Sequence, residues 1–322
     1  MIDPSVFSND AVSEETRTTY AMMRAATPEI RPAVSADSRA YARAYRAAFI
    51  RGIEAMGGGE IYRSPKARDL TLAGGVKLHV IDNHNPSGVY LHIHGGGWVI
   101  GGADLQDAQL EKLAAATGQA VVSVEYRLAP EAPFPAGLND CEQAARWLAS
   151  SAASEFGTER LTIGGDSAGA NLALATLLRL KDHPPPVSFA AGNLLYGAFD
   201  LSMTPSQLAS KNPTMTPEML RYDRDNYVPD HGQHKNPDVS PLYGELTGLP
   251  PLLLTVGTAD PYLDDSLFLY ARLLAAQAPV GIQILPGADH GFDWYPLVIA
   301  NEANARITSF LCDSLQGAHA AG

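Results

Sequence analysis

The chain has 322 residues, of which 46% are hydrophobic and 18% charged, and a formal net charge of −12. This is a globular composition with enough apolar residues for a large core, and the acidic excess argues against nucleic acid or an anionic membrane as partner. Two cysteines, Cys141 and Cys312, are too few for a disulfide framework, and no stretch approaches the roughly 18 apolar residues of a membrane span.

The N-terminus, MIDPSVFSNDAVSEE, has early acids and no long apolar run, so no signal peptide is expected and a cytoplasmic location is. A helix is expected near 12–26. Within 36–56, Tyr41, Tyr45, Phe49 and Ile53 recur at i, i+4 spacing, which is one face of a second helix closed by the glycines at 57–59. From about residue 69, DLTLAGG and KLHVID alternate as antiparallel strands do. GVYLHIH, QAVVSVEY, RLTIGG, AAGNLLYGAF, PLLLTVG and VGIQILP follow as short apolar runs, with helical stretches such as LQDAQLEKLAAATG and NDCEQAARWLASSA between most of them. Strands alternating with helices form βαβ units, so the expectation is α/β: a mostly parallel eight-stranded sheet with helices on both faces. Residues 201–248, rich in Pro, Met and Tyr, interrupt that rhythm. There TPEMLRYDRDNY reads as a helix with Thr216 as N-cap and Pro217 at its first position. The expected organisation is one domain over 1–322, with a helical cap built from 1–50 and 201–248.

Chemistry concentrates in three places. In RLTIGGDSAGANLALATLLRL a strand runs into Gly165-Asp166-Ser167-Ala168-Gly169 and a helix follows at once, the strand–turn–helix setting that G-x-S-x-G needs. The turn holds the Ser167 hydroxyl at a helix N-terminus, where developing negative charge is favoured. A serine nucleophile needs a base and an acid, here in the chain order Ser, acid, His. PLLLTVGTADPYLDD ends a buried strand at Asp260, and IQILPGADHGFDWY ends another in a loop with His290. Asp264 and Asp265 look like first-turn acids of the next helix, and Asp289 is awkwardly adjacent to His290, so Asp260 is the expected partner of the imidazole. The third place is YLHIHGGGWVIGG. His94-Gly95-Gly96-Gly97-Trp98 has the position of a glycine loop whose N–H groups, with that of Ala168, face a tetrahedral oxyanion. A phosphate loop would carry Lys or G-x-G-x-x-G opening a helix, and neither is present.

Together HGGGW, YRLAPEAPFPAGLND, GDSAG, DPYLDD and HGF resemble the hormone-sensitive-lipase family of α/β-hydrolase carboxylesterases, the bacterial family IV type, over about residues 90–295. The resemblance implies an α/β-hydrolase fold, a Ser167–His290–Asp260 triad acting through an acyl-enzyme on short- to medium-chain esters, and oxyanion donors at Gly96 and Gly97. It implies no cofactor, a small-molecule ester as partner and a homodimer as an assembly common among relatives. Two departures stand out: Ala170 in place of a frequent glycine, and Asp289 before the histidine, where its charge would raise the imidazole pKa. Two other activities fit parts of the pattern: an arylformamidase-like amide hydrolase, and a non-catalytic small-molecule receptor, against which His290 counts.

The remaining residues read less specifically. Trp98 fits an acyl-pocket wall and a loop anchor equally well. Tyr196, Met203, Met215, Met219 and Tyr222 are candidates for an apolar pocket lining or for packing between cap and core. His92 and His94 share a strand face but lack a spaced acidic or Cys partner, so no metal is expected there, and His94 is expected to brace the glycine loop. Asp166 is expected to tie neighbouring loops, and Tyr126, Arg127 and Glu131 to form scaffold beneath the glycine loop. His231 and His234, in DHGQHKNPD, read as solvated.

Overall fold

A computed structural model describes residues 2–26, 37–185 and 187–317. Residues 27–36 of the expected cap therefore lie outside the described part. Eight strands form one sheet: β1 (Ala67–Thr71), β2 (Lys77–Ile81), β3 (Val89–Ile93), β4 (Ala120–Glu125), β5 (Leu161–Asp166), β6 (Ala191–Leu195), β7 (Leu252–Gly257) and β8 (Val280–Leu285). Their spatial order is β1-β2-β4-β3-β5-β6-β7-β8. The β1–β2 and β2–β4 pairs are antiparallel, and every other pair is parallel.

The sequence pattern accounts for these positions. The runs in β3, β5, β6 and β7 are predominantly apolar and wholly buried, as expected of strands covered on both faces. Edge strands β1 and β8 are only partly buried. The helices are α1 (Glu14–Ala26), α2 (Ser38–Met56), α3 (Asp107–Thr117), α4 (Ala136–Phe156), α5 (Ala168–Asp182), α6 (Pro205–Leu208), α7 (Pro217–Tyr227), α8 (Leu263–Ala275) and α9 (Val298–Gly317). On one sheet face, Leu138 and Leu148 of α4, Leu174 of α5 and Leu269 of α8 pack on Leu91, Val122 and Ile163. On the other, Leu110 of α3 and Ile307 and Leu311 of α9 pack on Tyr90 and Val121. Neighbours such as Tyr90 and Leu91 thus serve opposite layers, as the two-residue period of a strand requires.

Two elements outside the sheet follow their local signals closely. α7 begins as expected, with the Thr216 hydroxyl accepting from the Met219 N–H and Pro217 at the first helical position. α2 is capped by Asp37, whose carboxylate accepts from Ala40 N–H, and it packs Tyr41 edge-on against Tyr222 of α7 with ring centroids 4.5 Å apart. No helix among the described residues is long and apolar enough to cross a membrane.

Because β3, β5, β6, β7 and β8 run parallel, their carboxyl ends open on one edge of the sheet. The segments that leave this edge begin at His94, Ser167, Tyr196, Thr258 and Pro286. In open α/β sheets that edge is where ligands bind.

Candidate active site

Ser167 sits on the turn between β5 and α5 with φ +56° and ψ −120°, a strained conformation for a residue with a side chain. The turn exists because its neighbours lack Cβ atoms. A Cβ on Gly165 would strike the Ile93 carbonyl and come 2.7 Å from the Gly169 backbone, and one on Gly169 would strike Ile93 and lie 2.6 Å from the His94 oxygen. The Ser167 N–H donates to the Leu195 carbonyl at 2.9 Å, which fastens the turn to β6.

The Ser167 hydroxyl lies 2.9 Å from His290 Nε2, and His290 Nδ1 lies 2.9 Å from Asp260 Oδ2. The second Asp260 oxygen accepts from the Tyr262 N–H at 2.8 Å. With Nδ1–H donating to the carboxylate, Nε2 is left as acceptor for the serine proton. The loops that carry Asp260 and His290 are bound to each other: Ala259 N–H donates to Ala288 O at 3.0 Å, and Gly287 N–H to the Thr258 hydroxyl at 2.8 Å. Asp260 is 3% exposed. Burial acts to lower the His290 pKa, but the charge and hydrogen bond of Asp260, with the charges of Asp289 and Asp166, more than offset it and hold it above the usual value. The arrangement meets the needs of covalent catalysis: a hydroxyl within reach of a base whose far nitrogen is fixed by a buried carboxylate.

The glycine loop is braced from below and above. Gly96 and Gly97 take φ +116° and +59°, values that side chains resist. His94 donates from Nδ1 to the Gly95 carbonyl at 2.8 Å and stacks on Tyr126, whose hydroxyl donates to the His94 carbonyl at 3.0 Å. Burial pushes the His94 pKa down to about 4, so the ring is a neutral brace. Arg127 pairs with Asp140, while Arg46 of α2 reaches over to the Val99 and Ala129 carbonyls and forks onto Glu131. Among the described residues, the N–H groups of Gly96, Gly97 and Ala168 are not taken up by any protein acceptor.

Trp98 is buried, at φ +61°, and lies flat on Tyr227 of α7 with centroids 4.6 Å apart, an arrangement that ties the loop to that helix. Tyr196 packs its ring 4.5 Å from that of His290. Met215 rests against the core cluster, and Met219 is half-buried on α7. Asp166 accepts from Gln106 at 3.2 Å and lies 3.6 Å from His92, whose other nitrogen meets Ser123 Oγ at 2.9 Å.

Several acids around the site have partners that the sequence did not reveal. Asp289 is bonded away from the imidazole ring: its Oδ1 accepts from the His290 N–H at 2.8 Å and from Asn212 at 2.9 Å, and its own N–H donates to the Tyr20 hydroxyl at 3.1 Å. Asp293 is a further acid close to His290; it accepts from the Tyr196 hydroxyl, and burial pushes it up to about 6. Asp223 of α7 sets its carboxylate against Gly97, 2.8 Å from where a Cβ would stand. Asp265, expected only to serve a helix dipole, is fully buried and accepts from Phe199, Asp200, Thr204 and Gln207, which anchors the segment leaving β6. Of the pair read as solvated, His231 is exposed but the His234 side chain is only 12% exposed, because the loop folds it back against α7.

Residues 90–293 match the family described as alpha/beta hydrolase fold, a span that contains all five quoted motifs. The chain is 32% identical over 251 residues to an esterase of Acinetobacter venetianus, covering 76% of this chain and 80% of that one. It is 33% identical over 224 residues to carboxylesterase NlhH of Mycobacterium tuberculosis, covering 67% and 70%. Its backbone is similar, with a TM-score of 0.79, to a crystal structure described as an esterase from the bacterial hormone-sensitive lipase family, at 30% identity over 95% of this chain and 99% of that chain.

Proposed function

This chain belongs to the α/β-hydrolase family, and from that premise we propose that it is a carboxylesterase using Ser167, His290 and Asp260 on short- to medium-chain acyl esters. The observation that carries the proposal is the unbroken chain of hydrogen bonds from Ser167 Oγ through both His290 nitrogens to Asp260. Ser167 Oγ attacks the ester carbonyl as its proton passes to Nε2. The oxyanion that forms takes hydrogen bonds from the N–H groups of Gly96, Gly97 and Ala168. The imidazolium, steadied by Asp260, returns the proton to the departing alkoxide and leaves an acyl-serine. Water, deprotonated by the same imidazole, then releases the acid and restores the serine.

In this reading the N-terminal arm and residues 201–248 form a cap over the site. Support comes from contacts at the triad: Tyr20 and Asn212, one from each piece, both bond Asp289 beside the base. Tyr196 is the pocket candidate that touches the machinery directly.

The test is p-nitrophenyl ester hydrolysis from acetate to palmitate by wild type and Ser167→Ala. Turnover should be greatest on the shorter esters and fall by several orders of magnitude in the variant, leaving only what binding and oxyanion donors supply. Ester turnover that survives Ser167→Ala would refute the proposal. Turnover of aryl formamides without esters would select the amide-hydrolase alternative, and ligand binding with no turnover the receptor.

A further inference from the structure

Away from the candidate active site, three ligand-type groups converge where α7 ends. Asp225 lies near the end of α7. His231 and His234 occupy the first position and the C-cap of a single 3-10 turn that follows. Their Nε2 atoms stand 3.5 and 3.8 Å from the same oxygen, Asp225 Oδ1, and all three ligand atoms fall within 4.8 Å of one another. The two rings are stacked, with centroids 4.9 Å apart, so both edges face one point. Tetrahedral zinc at about 2.0–2.2 Å from each ligand separates neighbouring ligands by roughly 3.3–3.5 Å, close to the two Asp225–histidine distances here, while the two imidazole nitrogens, within 4.8 Å of each other, would draw together on binding.

The state of His234 supplies a second, independent observation. Its Nε2 is buried and has no hydrogen-bond partner among the described residues. A buried imidazole nitrogen that faces a carboxylate oxygen without bonding to it is unfavourable unless something positive lies between them. Arg224 donates to Asp225 Oδ1 at 2.8 Å, but a carboxylate has about four acceptor sites, and this bond uses one while fixing the rotamer.

We propose that Asp225, His231 and His234 form a divalent-metal site of the zinc class, two imidazoles and one carboxylate, with a remaining position open to solvent beside the exposed His231. Two imidazoles select a borderline transition ion over magnesium or calcium, which prefer oxygen ligands. The ion is structural and takes no part in ester chemistry. It pins the end of α7 to the following loop, and α7 is the helix that holds Tyr227 under Trp98 and Asp223 against Gly97. The site is independent of the proposed esterase reaction, and its test does not depend on activity.

Untagged, chelator-stripped full-length protein titrated calorimetrically with Zn²⁺ should bind one ion per chain, with a rise in Tm. His231→Ala and His234→Ala should each lose more affinity than the roughly 10–100-fold that follows loss of an outer-shell partner, and both should abolish the Tm rise. His231 is exposed, so its variant folds normally and decides the matter even if His234→Ala loosens the loop. Absence of binding at millimolar Zn²⁺ would overturn the proposal. So would undiminished binding in His231→Ala, which would place the ion on other residues such as His290.

Discussion

At His290 the surrounding acids all act in the same direction. Asp260, Asp289 and Asp166 favour the imidazolium, and the Asp293 carboxyl and the Tyr196 and Tyr262 rings complete the enclosure. A base must be neutral to accept the serine proton, so kcat/KM should rise with pH through an apparent pKa above the usual histidine value. Asp289→Asn keeps an acceptor for Asn212 and removes the charge. Its acid limb should move to lower pH, because one fewer negative neighbour favours the neutral ring; a limb that stays in place would show that Asp289 acts only through its hydrogen bonds. The acid role is separable in the same way. Asp260→Asn should lower kcat by about 10³–10⁴-fold through loss of the correct tautomer. Asp264→Asn should change it by no more than about a few-fold, since Asp264 accepts from Ser206 and not from the imidazole. The reverse order would overturn the assignment.

Between elements, the glycine loop depends on groups brought from far along the chain. Arg46 of α2 donates to Val99 and Ala129 and forks onto Glu131, so one side chain joins the N-terminal arm, the glycine loop and the YRLAPE segment. Losing a single oxyanion donor outright costs about 10²–10³ in kcat, and if the loop supplies two of them as proposed, loosening it should cost part of that. Arg46→Ala should therefore lower kcat by roughly tenfold and lower Tm, while Arg51→Ala, on an exposed part of α2, should change neither. Equal effects from the two would mean that α2 stabilises the fold without aiming the loop. Asp265 plays a comparable part in the first turn of α8, where four donors from the segment after β6 meet its buried carboxylate.

At the scale of the whole molecule, the sheet holds a second charged cluster remote from the site. His79 of β2 lies between Asp69 at 2.7 Å and the buried Asp107 at the start of α3 at 2.9 Å. The hydrogen bond to Asp107, with that to Asp69 and both charges, outweighs burial and raises its pKa to about 9. A folded pKa above the unfolded value of about 6.5 means that the contribution to stability is complete below that pH and is lost as pH rises through about 9. Thermal unfolding across this window should show His79→Gln most destabilised at the acid end and close to wild type above it. A penalty independent of pH would show that packing, not charge, gives His79 its value.

Local sequence determined a good deal of this. The two- and four-residue periods located strands and helices because burial on one or both faces imposes them, and Thr216-Pro217 marked the start of α7 because orphan helix N–H groups need a cap. The glycines around Ser167 and in HGGGW were legible because backbone at positive φ or in close approach excludes other residues. Strand order, with β4 outside β3, was not legible, since adjacency in a sheet depends on crossovers that leave no local period. Nor were the partners of Asp289, Asp293 and Asp265. Each is a polar residue in a loop or first turn, a pattern that usually means solvent exposure, and only the folding of distant segments onto it made it buried and bonded. Backbone torsion and amphipathic period are properties of neighbours in sequence; the environment of a charge is a property of neighbours in space, and tertiary structure alone decides it.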